Sequence, residues 1–187
     1  AVEMDLHSAQ QMFGLNSIIF RPHNVYGEHQ NIGDRYRNVI GIFMNQIMNG
    51  EPLTIFGDGS QTRAFSYIED VAPYIARSVD CVQAYNDVFN IGADTPYSVR
   101  QLAAVVCQVF NVEPHLKFEP ARNEVLHAYS SHEKARQVLG ATTTVDLEEG
   151  IQRMAAWARQ VGVRKSKPFE NIEIFHKLPP VWLKSQT

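Results

Sequence analysis

Apolar residues recur along the chain at two different spacings, and the alternation between them predicts an α/β fold. Steps of three and four residues indicate helices, whereas short apolar runs between polar turns indicate buried strands. The predicted helices cover residues 2–13, 38–49, 70–81, 98–110 and 146–161, and one further helix ends at residue 140. The predicted strands cover residues 17–20, 53–56, 63–67, 88–91 and 115–118. Strands that alternate with helices in this way are typical of an α/β architecture.

Several helix ends carry recognisable signals. Ser98 and Gln101 have the spacing of a capping box, and a polar stretch at 130–133 precedes the helix that ends at residue 140. Asp146 opens the last helix. Pro73 falls in the first turn of helix 70–81, where proline is tolerated. Asp70 is predicted to cap that helix.

Composition and charge exclude several classes of function. With 44% hydrophobic residues the chain can form a core, and its formal charge of −3 offers no basic surface for nucleic acid. The basic stretch 164–167 is interpreted as a solvated helix end. No apolar run approaches the roughly 20 residues that cross a bilayer, so we predict a cytoplasmic protein without a membrane partner. Cys81 and Cys107 are interpreted as core residues of a reducing compartment.

The residues alone do not establish a reaction. The glycine-rich turn of a dinucleotide-binding domain is absent, and no tyrosine is followed four residues later by a lysine. Histidines and carboxylates lack the spacing of a zinc pair, so no metal site is predicted. Arg21, Arg63 and Arg122 lie in loops or at strand ends, where a guanidinium suits a diphosphate. Taken by themselves, these arginines are more simply interpreted as members of surface ion pairs.

Four motifs then occur in a fixed order and spacing. They are RPHNVYG at 21–27, LTIFGDGSQTRAFSYIEDV at 53–71, FNIG at 89–92, and PARNEV with the following AYS and KA at 120–135. Together they resemble the extended short-chain dehydrogenase/reductase family, specifically its nucleotide-sugar epimerases and dehydratases. Ala64 and Asn123 depart from the family pattern, which has Asp at the first position and commonly Gly or His at the second.

The resemblance implies a fold and a division of the chain. It implies the C-terminal part of an extended Rossmann-type fold, with the last strands of the parallel sheet and a small α/β substrate-binding domain. Residues 1–34 would end the dinucleotide-binding domain. Residues 35–165 would form mainly the substrate-binding domain, with strand 88–91 returning to the main sheet, and residues 166–187 a C-terminal tail.

The resemblance also implies roles for single residues. Pro22 and His23 would pass beside the nicotinamide of NAD, and Arg21 would brace the loop. Asn24 would bind a phosphate, Arg63 and Arg122 would clamp the diphosphate, and the remaining contacts would hold the nucleoside. The residues implied for the nucleotide sugar are Asn24, Asn38, Val39, Thr54, Phe56, Arg63 and Arg122.

The catalytic tyrosine and lysine of the family would lie before Ala1, so this chain alone is expected to be inactive. The implied activity of the whole enzyme is NAD-dependent 4-epimerisation of a UDP-hexose. A 4,6-dehydratase or decarboxylase of the same family, or a non-catalytic binding fragment, remains an alternative. Helix 2–13 would pair with its copy in a homodimer.

Overall fold

The structure, a computed structural model, describes residues 1–34 and 38–165, and the predicted tail 166–187 lies outside these ranges. The described residues form six α-helices and nine strands. The helices are α1 (Val2–Phe13), α2 (Val39–Met48), α3 (Ala72–Arg77), α4 (Val99–Phe110), α5 (Glu133–Leu139) and α6 (Leu147–Val161). The strands are β1 (Ile18–Pro22), β2 (Val25–Tyr26), β3 (Leu53–Phe56), β4 (Thr62–Ala64), β5 (Ser66–Tyr67), β6 (Asp87–Ile91), β7 (Pro96–Ser98), β8 (Leu116–Glu119) and β9 (His127–Ala128).

Most of the strand pairing is parallel, as an α/β protein requires. β1 pairs with β6, β2 with β5, and β3 with β8, all in parallel register. β4 lies between β7, which is antiparallel to it, and β9, which is parallel. The predicted return of strand 88–91 to the first strand is therefore observed, with Ile19 opposite Val88. In the part of the chain that the structure describes, β1 has no second neighbour.

Two apolar clusters hold these elements together. The larger one joins α2, α4 and α6 to β3, and its fully buried members include Ile40, Leu102 and Ile151. The smaller one lies around β1 and β6, with Phe89 and Ile91 at its centre. Burial of apolar area on this scale is the main favourable contribution to folding. The division of the chain into two domains at residue 35 stays a prediction. Residues 26 and 32, which precede that boundary, already belong to the larger cluster.

The structure corrects several predicted elements. The predicted helix 70–81 is a 3₁₀ turn (Ile68–Asp70), α3, and a second 3₁₀ turn (Ser78–Asp80), although Pro73 does fall in the first turn of α3. Cys81 follows these turns and is half-buried, whereas Cys107 is buried as predicted. The predicted strand 63–67 is divided at Phe65 into β4 and β5. The short strands β2, β7 and β9 were not predicted.

Two of the predicted helix caps are confirmed, and the one assigned to Asp70 is not. The capping box of Ser98 and Gln101 is present, and the Asp146 carboxylate accepts the backbone N–H of Glu149. At α5, the backbone N–H of Glu133 donates to Ser131 Oγ at 3.4 Å. The prediction that Asp70 caps the following helix is wrong, since Asp70 does not cap α3. No helix among residues 1–34 and 38–165 has both the length and the apolar character to cross a membrane.

Asp70 instead ties the loop before α6 to the rest of the fold. Its buried carboxylate accepts hydrogen bonds from the backbone N–H groups of Thr144 and Val145 and from the Thr144 hydroxyl, at 2.7–3.1 Å. A buried carboxylate with three such donors is well satisfied, and its loss leaves donors unpaired. Asp70 is therefore a structural residue, as predicted, but through a different contact.

Replacing Asp70 by Asn tests this contact. We expect D70N to lower the free energy of unfolding by about 1–3 kcal/mol, because the amide nitrogen replaces one carboxylate oxygen and cannot accept the hydrogen bonds that Thr144 or Val145 donates there. Urea denaturation followed by circular dichroism measures the change. D80N is the matched control at an exposed position. Equal stability of D70N and D80N would contradict the assignment.

Candidate functional site

One cavity of about 940 Å³ lies between α2, β3, β4 and the loop before β9. All seven residues predicted to bind a nucleotide sugar line it, although they are spread over 99 positions of the sequence. These residues are Asn24, Asn38, Val39, Thr54, Phe56, Arg63 and Arg122. The structure therefore brings the predicted set together, while the role of each residue stays a proposal.

Asn24 and Asn38 enter the cavity wall from unusual backbone conformations. Their φ angles are 45° and 63°, in the left-handed region that asparagine tolerates better than most residues. The side-chain amide of Asn24 donates to the carbonyl of Ala64 at 2.9 Å, and that of Asn38 donates to the carbonyl of Val25 at 2.7 Å. Each amide nitrogen carries a second N–H that these bonds do not use. Both residues can thus donate to an anion.

Strand β3 presents alternate residues to the core and to the cavity. Leu53 and Ile55 are buried, whereas Thr54 and Phe56 are half-buried and line the cavity, as the two-residue period of a strand requires. Both the nitrogen and the oxygen of the Gln46 side-chain amide, which projects from α2, form hydrogen bonds with Thr54. Gln46 Nε2 donates to Thr54 Oγ1 at 3.0 Å, and the backbone N–H of Thr54 donates to Gln46 Oε1 at 3.2 Å.

Arg122 and Phe56 form a stacked pair on the cavity wall. The guanidinium carbon of Arg122 lies 3.4 Å from the centre of the Phe56 ring, which is close for a cation–π contact. Burial lowers the pKa of Arg122, and the nearby Glu124 carboxylate acts in the opposite direction. Because the pKa of an arginine is so high, Arg122 remains a cation at neutral pH.

Arg63 lies on β4, the central strand of its sheet, and holds the loop before β9. Its Nη1 donates to the carbonyls of Thr62 and Leu126 at 2.8 and 3.1 Å. Its Nη2 donates to the carbonyl of Val125 at 2.7 Å and to Glu124 Oε2 at 3.0 Å. The Arg63 side chain is only 17% exposed. Its cationic group therefore lies at the cavity in a fixed orientation.

Sequence reasoning missed several residues of the cavity wall, including Glu124. Arg164 and Lys165, interpreted above as a solvated helix end, line it. The segment is held there by Asn45, whose amide donates to the carbonyl of Arg164 and accepts its N–H. Another missed residue is Gln46, described above. The signal available in the sequence was the pair of adjacent polar residues, Asn45 and Gln46, on the otherwise apolar helix α2.

Pro22 and His23, predicted to touch a cofactor, do not line this cavity. Pro22 ends β1 and is exposed. The His23 ring stacks on the ring of His132 at 4.9 Å, and among the described residues its buried Nε2 has no hydrogen-bond partner. His132 in turn lies 2.6 Å from Asp94 Oδ1. The predicted cofactor residues thus occupy the neighbouring carboxyl end of the β1–β6 pair.

Gly92 is required where these two regions meet. A Cβ atom at Gly92 would lie 2.3 Å from Ser66 Oγ, and its φ of 150° disfavours other residues. The space admits the Ser66 hydroxyl, which donates to the carbonyl of His23 and accepts the backbone N–H of Ala93. The glycine of the FNIG motif therefore allows β5 to approach the end of β6.

Arg21 is separate from both regions. Its guanidinium forms a two-pronged ion pair with the Glu3 carboxylate, at 2.6 and 3.0 Å, on the exposed surface of α1. Such exposed pairs contribute little to stability. Arg21 therefore forms the surface ion pair inferred from the residues alone, and the bracing of the loop implied by the resemblance stays a prediction.

The cavity has the chemistry of a site for an anionic ligand with an aromatic group. It combines three arginines, the aromatic ring of Phe56 and several side-chain amides next to the carboxyl ends of parallel strands, where α/β proteins bind ligands. These features define the class: an α/β protein with a site suited to a nucleotide or a similar ligand.

Comparison with known proteins identifies the family. Residues 1–92 match the model of the NAD dependent epimerase/dehydratase family and belong to that family. A UDP-glucose 4-epimerase of Thermotoga maritima, solved with UDP-glucose, is 30% identical and superposes with a TM-score of 0.79 over 85% of this chain and 51% of its own. The resemblance inferred from the motifs and the Rossmann-type fold are both confirmed.

Two curated relatives show how far the comparison reaches. A UDP-glucose 4-epimerase of Mycolicibacterium smegmatis is 28% identical over 160 residues, or 85% of this chain and 50% of its own. UDP-glucuronic acid decarboxylase 2 of Arabidopsis thaliana is 30% identical over 143 residues, or 76% of this chain and 31% of its own. The chain spans at most about half the length of either relative. The relatives therefore support the enzyme class but not one reaction within it.

The stacked histidines predict a pH dependence of stability. Burial, followed by the neighbouring His132, lowers the pKa of His23 from its usual 6.5, against the Ala93 backbone and Asp94, which raise it. Below about pH 6.5 the unfolded chain binds a proton at this position before the folded chain does, so stability is lost as the pH falls. Urea denaturation at about pH 7.5 and about pH 5.5 should show this loss.

His23→Phe is the informative variant, because it keeps an aromatic ring against His132 and removes the titrating group. We expect H23F to lose less stability than the original chain between the two pH values. H115N, at an exposed histidine, is the control and should retain the full dependence. An unchanged pH dependence in H23F would show that His23 is not its source.

Proposed function

We propose that this chain is the nucleotide-diphosphate-binding part of an NAD-dependent nucleotide-sugar 4-epimerase. The convergence of seven widely separated residues on a single cavity carries the proposal. Residues that contribute only to solubility or to isolated surface ion pairs would be scattered over the surface, and they would not be expected to line one cavity together. The fold and the family support a nucleotide sugar as the ligand, since the similar epimerase of Thermotoga maritima was solved with UDP-glucose.

The proposed roles follow from the contacts. Arg122 and Arg63 supply the two guanidinium groups that suit a diphosphate, and Asn24 adds an amide donor from the end of β1. Thr54 and Phe56 on β3 offer a backbone edge and an aromatic face to the base. Anchoring the diphosphate and base in this way leaves the sugar as the part of the ligand that can turn.

This arrangement suits a reaction in which a sugar carbon must present both of its faces. Binding energy from the remote nucleotide fixes the position of the reacting carbon without holding the sugar ring itself. In epimerisation at C4, hydride leaves one face of the carbon and returns to the other. The contribution of this chain is to bind and orient, since the proton-transferring tyrosine is proposed to lie outside it.

Pro22 and His23 can form one edge of a cofactor site. They follow the carboxyl end of β1, the position at which dinucleotides pass in open parallel sheets. The exposed Pro22 offers an apolar contact, while the His23 ring is engaged with His132. NAD, when bound, supplies the hydride acceptor. These two residues do not line the cavity described above, and the larger part of the NAD contact is proposed to come from elsewhere.

UDP-hexoses are the proposed substrates, because the relative solved with UDP-glucose aligns over most of this chain. A UDP-glucuronic acid decarboxylase is the second candidate, supported by the 30% identity of the Arabidopsis thaliana protein. The two candidates share the nucleotide diphosphate and differ at the sugar. Binding of the nucleotide therefore tests what they have in common.

Removing the two guanidinium groups tests the diphosphate site. We expect this chain to bind UDP, and we expect R63A and R122A each to weaken that binding about tenfold or more, because each removes charge-assisted hydrogen bonds. Isothermal titration calorimetry measures the affinities. R77A is the control, since Arg77 lies on α3 and does not line the cavity.

Uridine provides a second control, because it lacks phosphate and should lose little affinity in either variant. If the chain binds no UDP, or if the double variant R63A/R122A binds it as tightly as the original chain, the proposed function is wrong. A comparable loss in R77A would point instead to a general effect of surface charge.

We propose further that α1 mediates a homodimer. Its described residues include no buried side chain, and Val2, Met4, Met12 and Phe13 are 70–77% exposed. Apolar side chains concentrated on a surface helix mark an interaction surface. The pairing of α1 with a second copy would remove them from water.

Sedimentation velocity tests the dimer. We expect the chain to associate at micromolar concentration and F13E to shift it towards monomer, because a buried glutamate charge in the interface is costly. V79E introduces the same charge at an exposed apolar position on another face and should not alter association. A folded monomer at all concentrations tested would contradict the proposal.

A further inference from the structure

We propose that Glu124 is an internal competitor of the ligand for Arg63, and so sets the affinity of the site for phosphate-bearing ligands. The inference rests on the proposed function, because it takes the ligand to be a nucleotide diphosphate. It adds a residue that opposes binding to the residues that favour it.

The hydrogen bonds of Arg63 lead to this inference. A guanidinium has five N–H donors, four of them on its two terminal nitrogens. In this structure the terminal nitrogens donate to four acceptors: the carbonyls of residues 62, 125 and 126 and the Glu124 carboxylate. A two-pronged contact between Arg63 and a phosphate therefore needs at least one of these acceptors to leave.

Glu124 is the acceptor best able to leave. It is a side chain, whereas the other three acceptors are backbone carbonyls next to or within β4 and β9. Its side chain is 39% exposed, so water can reach the carboxylate after release. Glu124 also lines the cavity, so the departing carboxylate and an arriving phosphate would occupy the same side of Arg63.

The exchange is one anion for another. Before binding, Arg63 and Glu124 neutralise each other at 3.0 Å, and afterwards a phosphate takes the place of the carboxylate. Binding then gains one ion pair and loses another, which reduces the net benefit of Arg63. The released carboxylate would in addition lie near the phosphate charge and repel it.

Arg122 provides the contrast. Its guanidinium stacks on Phe56, and within residues 1–34 and 38–165 no hydrogen bond from Arg122 is observed. The edge of its guanidinium can thus donate to a phosphate without displacing a carboxylate. The two arginines proposed for the diphosphate are therefore unequal: Arg122 is available, and Arg63 is engaged.

The charge of the cavity wall supports the same conclusion. Its described lining holds four cationic side chains (Arg63, Arg122, Arg164 and Lys165) and three carboxylates (Asp34, Glu51 and Glu124), a net charge of +1. Replacing Glu124 by Gln raises this to +2 and retains an oxygen that can accept from Arg63. Glu124 thus affects both the contact with Arg63 and the local field.

The test compares UDP and uridine binding by calorimetry at one fixed ionic strength. We expect E124Q to bind UDP about two- to fivefold more tightly than the original chain, the range that a partly exposed ion pair supports. Uridine should bind equally to both. E113Q removes the same charge at an exposed position outside the cavity and should leave UDP binding unchanged.

A double-mutant cycle separates the contact from the field. If Glu124 acts through Arg63, then E124Q should have little effect on UDP binding in the R63A background. An equal gain in both backgrounds would assign the effect to net charge and overturn the competition. E124A should behave as E124Q does, and circular dichroism checks that each variant is folded.

The remaining outcomes distinguish this inference from the proposed function. If the original chain binds UDP and R63A weakens that binding, but E124Q leaves it unchanged, the inference fails and the proposed function stands. Weaker binding of both UDP and uridine to E124Q would make Glu124 a contact of the nucleoside, which also overturns the inference. If the original chain binds no UDP, both fail together.

Discussion

The four hydrogen bonds that Arg63 donates to its own chain are the interaction on which the candidate site depends. Three of them, to Glu124, Val125 and Leu126, join β4 to the loop before β9, and that loop carries Arg122 and Glu124 to the cavity. The side chains of Val125 and Leu126 are exposed, so this segment is held mainly through its backbone, and the N–H of Thr62 also donates to the Leu126 carbonyl at 2.9 Å. A residue proposed to bind the ligand therefore also builds the wall that faces the ligand.

Polar and aromatic groups of the cavity wall pair with other side chains of the wall, and these contacts resemble those that the proposed ligand would make. The Gln46 amide meets the donor and acceptor of Thr54, as the edge of a pyrimidine base could. Arg122 covers the face of Phe56, where a planar group could stack. Glu124 pairs with Arg63 in place of a phosphate. Polar groups left without partners in a partly buried site are costly, so internal partners of matching chemistry stabilise the cavity wall.

Much of the fold and part of the cavity wall were predictable from the sequence. Strand β3 follows from a short apolar run before a turn, and the capping box at Ser98 from its spacing. The family resemblance also indicated seven of the residues that line the cavity. What local patterns could not provide were contacts between distant segments: the loop held by Asp70, the Gln46 amide on Thr54, and the clip at Asn45 that brings Arg164 to the cavity.

The same distinction explains why the sequence indicates Arg63 as a binding residue but does not indicate the role proposed for Glu124. The motif indicates Arg63 as a binding residue, whereas its place on a central strand opposite Tyr97 and Ala128 is seen only in the folded chain, because β7 and β9 were not predicted. The carboxylate that opposes it lies 61 residues away on a loop, and only the folded chain shows the two groups 3.0 Å apart. Motifs indicate which groups can bind a ligand. The affinity of the site depends as much on which groups those residues already hold.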